Sequence, residues 1–286
     1  MADRFFCEDL TGTVARLSDA EAHHAIHVMR MHPGDILQLT DGGGTVAEGK
    51  IVATGRRSVE VEIVSSRKVP LPNRPALTVA AAAPKGDRLK WMIEKLTEIG
   101  VDRFVPLSTT RSVVDPRTSR LEKLQGTVIA AMKQSGRAFL MKLEPPVSIR
   151  DLPNRPAQYG ERIVAAHPHR ECRTNDPAAE ESLAVPVADE ATSHRNSSGD
   201  RARNLAGEDS SSVSVRRQTE NATANSQRDT VLVIGPEGGL TDDEVEMLKH
   251  HGAEFISWPD SILRTETAAV TFAALILAQA NAAAGR

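Results

Sequence analysis

Aromatic residues make up 3% of this 286-residue chain, which has one tyrosine, two tryptophans and two cysteines. Each scarcity excludes something. Cys7 and Cys172 cannot build a disulfide framework, and neither sits in a ligand cluster of metal-site spacing, so no metal is expected. The longest apolar run, AAVTFAALILA, is shorter than the roughly 20 residues that a membrane-spanning helix needs. MADRFFCEDL lacks the unbroken apolar segment of a signal peptide. The expectation is a soluble, cytoplasmic protein with no membrane partner. With 40% hydrophobic residues and so few aromatics, part of the chain is expected to contribute to no core.

The net charge of −3 conceals an asymmetry: residues 1–150 carry 22 Lys+Arg against 17 Asp+Glu, and residues 151–286 carry 13 against 21. A polyanionic partner would therefore meet the first half, although an excess of this size is also ordinary for a solvated surface.

From Arg4 to about Val69 apolar residues alternate, as in ILQL and VEVEIV, with turn signals such as Asp41-Gly42-Gly43-Gly44 between them. This pattern predicts a small β-barrel domain over residues 1–72. A helical interruption, SDAEAHHAIHVMRM, opens with Ser18 as candidate N-cap and Glu21 three residues later. On that helix His23, His24, His27 and Arg30 are spaced to share a polar side. Two readings stay open, a phosphate or base contact by Arg30 and a plain solvated face.

LPNRP at 71–75 marks a linker. Beyond it strands alternate with helices: LTVAAAA, a helix with Leu89, Met92, Ile93, Leu96 and Ile99 at helical spacing and Gly100 as its stop, VDRFVPL, a helix over Thr118–Ser135, and RIVAA before His167. The alternation predicts a mainly parallel sheet covered by helices, an α/β domain over residues 73–286. Residues 172–229 have no aromatics, few aliphatics and runs such as EDSSSVSVRRQTENATANSQ, which predicts a disordered insertion.

In VLVIGPEGGLTDDEVEMLKHHG a buried-type strand leads through glycines into a well-marked helix: Thr241 as N-cap, Glu244 closing a capping box, Leu240 and Val245 forming a hydrophobic staple. The carboxyl ends of such strands are where open α/β sheets bind ligands. Neither the P-loop nor the G-x-G-x-x-G pattern is met, and three acids in the first helical turn repel phosphate. The glycines suit close backbone approach to a neutral or cationic ligand. A second loop, PDSILRTETAAV, precedes the closing helix, with Thr265 as candidate cap. Its Arg264 and Glu266 fit either a site or a structural ion pair.

The segments KGDRLKWMIEKLTEIGV, AAMKQSGR, IGPEGGLTDDE and ILRTETAAV, with RFF and HHAIHVMRMHPGD before them, resemble the bacterial 16S ribosomal RNA uridine-N3 methyltransferases of the SPOUT class. The resemblance runs along nearly the whole chain except the insertion. It implies a PUA-like RNA-binding barrel, a SPOUT domain with a trefoil knot that breaks the usual rule of unthreaded connections, S-adenosylmethionine as cofactor, 16S rRNA in the small ribosomal subunit as partner, and a homodimer. It also implies cofactor contacts by Ala166, His167, Gly235, Pro236, Glu237, Gly238, Gly239, Leu263, Arg264, Thr265, Glu266, Thr267 and Ala268. Arg264, Glu266 and Glu237 are then the catalytic candidates, and Arg30, Arg111 and Arg137 the candidates for RNA contact. Two departures stand out: Lys133 where the family usually has a glutamate, and Pro259-Asp260-Ser261 where it usually has Gly-x-Arg. Rival readings are a SPOUT enzyme for another RNA position, such as a ribose 2′-hydroxyl, and a non-catalytic ribosome-assembly factor.

Overall fold

The computed structural model describes residues 3–113, 118–155, 162–167, 228–259 and 261–285. Most of the expected insertion, with Cys172, and Asp260 of the second departure lie outside them.

The first unit is a curled five-stranded sheet in the order β1-β3-β4-β5-β2, formed by β1 (Arg4–Phe6), β2 (Val14–Arg16), β3 (Ile36–Thr40), β4 (Thr45–Thr54) and β5 (Val59–Lys68). The pairing makes it a half-barrel with β1 and β2 at its edges, rather than a closed barrel. Register shifts at Glu48/Gly49 and Ile51/Ala53 bend the long β4–β5 ribbon around Phe5, Leu37, Leu39, Ile51, Val59 and Val61.

Helix α1 (Asp19–His23) is capped by the Ser18 hydroxyl and runs into a π-helical turn, His24–Val28. The wider turn breaks the expected polar side. His23 and His27 stay outside with ring centroids 4.8 Å apart, while His24 turns inward toward Phe5, ring centroids 5.7 Å apart. Arg30 follows at φ 56°, a left-handed conformation that L-residues seldom adopt, and is exposed.

The second unit is a parallel sheet in the order β12-β10-β11-β6-β7-β8, with β9 also pairing β7. Its strands are β6 (Leu77–Ala82), β7 (Arg103–Ser108), β8 (Lys142–Leu143), β9 (Val147–Ser148), β10 (Arg162–Ala166), β11 (Thr230–Ile234) and β12 (Glu254–Ile256). Alternate residues feed opposite layers, as the pleat requires. Leu77, Val79, Ala81, Val164, Leu232 and Ile234 pack against α2 (Asp87–Ile99), α3 (Thr118–Ser135) and α5 (Thr265–Ala283). Ala80, Ile163, Ala165, Val231 and Val233 pack against α4 (Asp242–His250) and Ile149 and Leu152.

Helix α5 is apolar and long enough to span a bilayer. Here Ala269, Phe272, Ala273 and Leu277 are buried against α2 and the sheet, so it is a core helix. To reach that face, the chain leaves edge strand β12, passes the carboxyl ends of β10 and β11, and returns over β11 and β6.

The linker is not slack. Arg74, with a side chain 5% exposed, donates to both oxygens of Asp102 at 2.8 and 3.2 Å and to the Gly100 carbonyl. Asp102 in turn accepts from the Leu77 amide, tying the linker to the start of β6.

The two units meet along a polar seam. The glycine turn after β3 exchanges main-chain bonds with 138–140: Gly44 N donates to Ala138 O and Leu140 N to Gly42 O. Beside it Lys133 donates to both carboxylate oxygens of Glu21 at 2.6 and 2.8 Å, and Glu21 also accepts from the Phe6 amide. Ser18 therefore caps α1, but Glu21 does not complete a reciprocal capping box. The Lys133 departure is a charge matched across the seam, with side chains 15% and 11% exposed for Lys133 and Glu21.

Lys133→Ala should lower unfolding free energy by about 3 kcal/mol, because it strands a mostly buried carboxylate. Glu21→Gln with Lys133→Met should cost less than the sum of the two single changes. Urea unfolding at neutral pH measures both.

Candidate active site

Strands β10, β11 and β12 end in one row, Ala166 beside both Ile234 and Ile256. Three segments leave that row together: His167, the turn 235–239, and Ser257 onward. They enclose an open cleft whose atom-free space, part of it continuous with solvent, is about 600 Å³.

The glycine turn is tight, with Gly239 N donating to Pro236 O at 2.8 Å. Gly239 sits at φ +70°, where a side chain would be strained, and a Cβ on Gly235 would lie 3.1 Å from the Leu240 side chain. Gly238 has neither constraint, and meets Arg111 instead. Helix α4 then starts as its sequence dictates: Thr241 and Glu244 form a complete capping box, with Leu240 and Val245 buried.

Glu244 does more than cap. Its second oxygen accepts from the Thr110 amide and hydroxyl at 2.8 and 3.0 Å. Burial alone would raise its pKa, but hydrogen bonds from Thr110 and Thr241 outweigh that and hold the carboxyl below its ordinary value. Next to it Arg111 donates to the carbonyls of Gly238 and Leu240 at 2.7 and 3.3 Å. The segment after β7 thus splints the glycine turn from behind.

A hydrogen bond ties the second loop to the first. Thr265 is not the cap of α5. Arg264 holds that position with no side-chain cap bond, and the Thr265 hydroxyl donates to Gly235 O at 3.2 Å. The fold supplies a nearby carbonyl, and the hydroxyl takes it.

Of the residues expected at the cofactor, Ala166, His167, Gly235, Pro236, Glu237, Gly239, Leu263, Thr265 and Ala268 line the cleft. Gly238, Arg264, Glu266 and Thr267 lie off its wall: Gly238 is turned to Arg111, Arg264 and Thr267 are exposed, and Glu266 is buried. The sequence reading missed Ile234, Leu240, Ser257, Trp258, Ser261, Ile262 and Phe272. Ser257 and Trp258 were findable, since they follow a strand end in a parallel sheet. Phe272, two turns into α5, carried no local signal. Trp258 stacks edge-on against it, ring centroids 6.4 Å apart.

The site's charge is acidic. No Lys or Arg lines the cleft among the described residues, whereas Glu237 does. Glu266, 6% exposed, has one oxygen 3.7 Å from Arg88 and the other, Oε2, without a hydrogen-bond partner. The alternative Arg264–Glu266 ion pair does not form among the described residues, because Arg264 points outward and Arg88 takes the partner's place. Apolar walls, bare main chain and carboxylates suit an uncharged nucleoside joined to a cation, and disfavour a phosphate. Among the described residues no group of His, Cys, Asp or Glu could hold a metal. Arg137, the other arginine proposed for RNA, is half-buried and packs on Gly100. Its pKa is lowered by burial and then by the neighbouring charge of Arg74.

Comparison with known proteins gives the class first. The RNA methyltransferase domain family matches residues 72–193 and 184–277, and the RNA methyltransferase PUA domain family matches residues 17–64. The ribosomal RNA small subunit methyltransferase E of Mycobacterium bovis is 30% identical over 263 residues, covering 91% of this chain and 84% of that protein. Its Bacillus subtilis counterpart is 27% identical over 260 residues, 88% and 85% of the two chains. The Neisseria gonorrhoeae protein of the same name, solved bound to S-adenosyl methionine, superposes with a TM-score of 0.70 at 22% identity over 97% of this chain and 98% of that one. The chain belongs to the ribosomal RNA small subunit methyltransferase E family.

Glu244→Gln should destabilise the protein by about 2 kcal/mol at neutral pH, since a buried charged acceptor of three hydrogen bonds, from Thr110 and Thr241, is lost. With its folded pKa lowered, Glu244 contributes stability that is fully present above its ordinary value of 4.5 and is lost as pH falls through the lowered value. Wild type and variant should therefore converge in acid, as followed by urea unfolding across pH.

Proposed function

We propose that this chain transfers a methyl group from S-adenosylmethionine to N3 of a single uridine in the decoding region of 16S rRNA, as a cytoplasmic homodimer. The observation that carries this reading is the cleft's chemistry: strand-end backbone and apolar side chains around Glu237, with the buried carboxylate of Glu266 behind it. The cleft-lining members of 166–167, 235–239 and 263–268 would hold the cofactor.

Bound there, S-adenosylmethionine supplies an electrophilic methyl group on a sulfonium centre. The chain's own task is to align uridine N3 with it and to remove the N3 proton, because the lone pair is useful only as that proton leaves. Glu237, on the cleft wall and partly exposed, would accept the proton. Glu266, buried behind it in the first turn of α5, contributes negative charge that favours a cation in the cleft. Arg264, exposed at the cap of α5, would stabilise the anionic uracil oxygens or anchor a phosphate. Residues 1–72 form the RNA-binding unit in this reading, with Arg30 and the exposed edge of Arg111 as RNA contacts, and Arg137 supporting them from the domain seam. The homodimer rests on exposed apolar residues at the cleft mouth, Ile262 and Trp258, whose burial against a second copy would close it.

The test is methyl transfer from labelled S-adenosylmethionine to small-subunit particles from a strain lacking the gene, with nucleoside mapping. The expected product is 3-methyluridine at one position. Label on a ribose, or binding without transfer, would favour the two rival readings respectively. Glu237→Ala should lower turnover about 100-fold or more, the usual contribution of a general base. Arg264→Ala and Glu266→Ala should each lower it at least about 10-fold with the fold intact. Full turnover in all three with normal binding would remove their assignment.

A further inference from the structure

A third charged group stands behind the cleft wall, against Glu237 and Glu266 and outside both loops discussed so far. Arg88 lies in the first turn of α2, just after the turn Pro84-Lys85-Gly86 that follows β6. Strand β6 pairs directly with β11, Ala81 beside Ile234, so the turn after β6 emerges next to the glycine turn after β11. From there Arg88 Nη1 reaches Glu237 Oε1 at 3.2 Å and Glu266 Oε1 at 3.7 Å. One guanidinium thus gathers two carboxylates from segments 29 residues apart in sequence, one on the cleft wall and one buried.

This placement is unfavourable for α2 by itself. A cation in a helix's first turn opposes the helix dipole. The main-chain turn is also unusual, with Gly86 at φ 65° and open space where its Cβ would be, so the chain bends sharply to deliver residue 88 here. Both features find their return at the carboxylates. Glu266 is nearly buried and has an oxygen without a partner. Glu237 is a partly exposed side chain on a turn and has no other ion pair or side-chain hydrogen bond among the described residues, so its orientation along the cleft wall depends on Arg88.

We infer that Arg88 is a positioning residue: it holds the Glu237 carboxylate against the cleft wall and offsets Glu266 behind it, so that one excess negative charge faces the sulfonium of the cofactor. This rests on the methyltransferase reading above. It acts through Glu237 and does not itself touch the reacting atoms. Both contacts are made by Nη1, at the far end of the side chain, where a shorter lysine ammonium would act as a point charge and hold the pair less closely.

The test compares two probes that differ in one charge, S-adenosylmethionine with its sulfonium and S-adenosylhomocysteine with a neutral thioether. Binding of each is measured by calorimetry to wild type, Arg88→Gln and Arg88→Lys. Arg88→Gln should weaken S-adenosylmethionine about 5- to 10-fold and S-adenosylhomocysteine less than about 2-fold, because a Glu237 carboxylate released into water loses more attraction for the sulfonium than removal of the cation restores, and Arg88→Lys should recover part of the difference. In the Glu237→Gln background the Arg88→Gln change should have little further effect, because the two residues act as a unit. Equal losses for the two probes would mark a merely structural arginine and overturn the inference. So would a gain in the preference for S-adenosylmethionine, the result expected if Arg88 only repels the sulfonium, or effects of Arg88→Gln and Glu237→Gln that multiply. Failure of wild type to bind either probe would instead overturn the methyltransferase reading.

Discussion

The constraint on which everything else depends is the parallel register of β10, β11 and β12. Because Ala166, Ile234 and Ile256 lie side by side, three chain segments far apart in sequence leave the sheet at the same level and on the same edge. A cleft must open where they part, since parallel strands present their carbonyl ends and following turns in one row. The sheet can hold this row rigidly because it is covered on both faces, with α2, α3 and α5 on one side and α4 on the other.

A row of strand ends is not yet a site, because loops without bracing would not hold a ligand's shape. The bracing comes from behind. Thr110 and Arg111 fix the base of α4 and the glycine turn, Thr265 fastens the second loop to the first, and Arg88 gathers the acidic side chains. Each tie uses a main-chain or carboxylate oxygen that would otherwise need water, so satisfying buried polar groups and shaping the cleft are the same act. The seam between the two units obeys the same logic. Glu21 and Lys133 are tolerable there because they meet each other and the Phe6 amide, and the glycine turn after β3 offers main-chain groups to 138–140. The first unit is thus joined to the second by main-chain bonds and an ion pair as well as by the linker, which the part-buried Arg74–Asp102 pair fastens to the start of β6.

Much of the fold was legible in the residues. Period-2 alternation marked the first sheet, the continuous apolar run of Val231–Ile234 marked a doubly covered strand, and Thr241 with Glu244 marked the start of α4, because those signals depend on neighbours a few residues away. Legibility failed where a side chain chose a distant partner. Glu21 had the spacing of a capping box but its carboxylate went to Lys133, 112 residues on, and Thr265 had the chemistry of a cap but found Gly235 O, 30 residues back. His24 was read as part of a polar side, yet the π-helical turn swings it toward Phe5.

The candidate site divides the same way. The sequence by itself determined which short segments carry ligand chemistry, since tight glycine turns, acidic helix starts and strand ends are local properties of the backbone and its nearest side chains. The tertiary structure alone decided that Trp258 and Phe272 share a wall, that Arg111 faces the glycine turn, and that Arg88 joins Glu237 to Glu266. Those are pairings across the sheet, and they follow from which strands lie side by side, an order set by packing two faces at once and not written in any single stretch of chain.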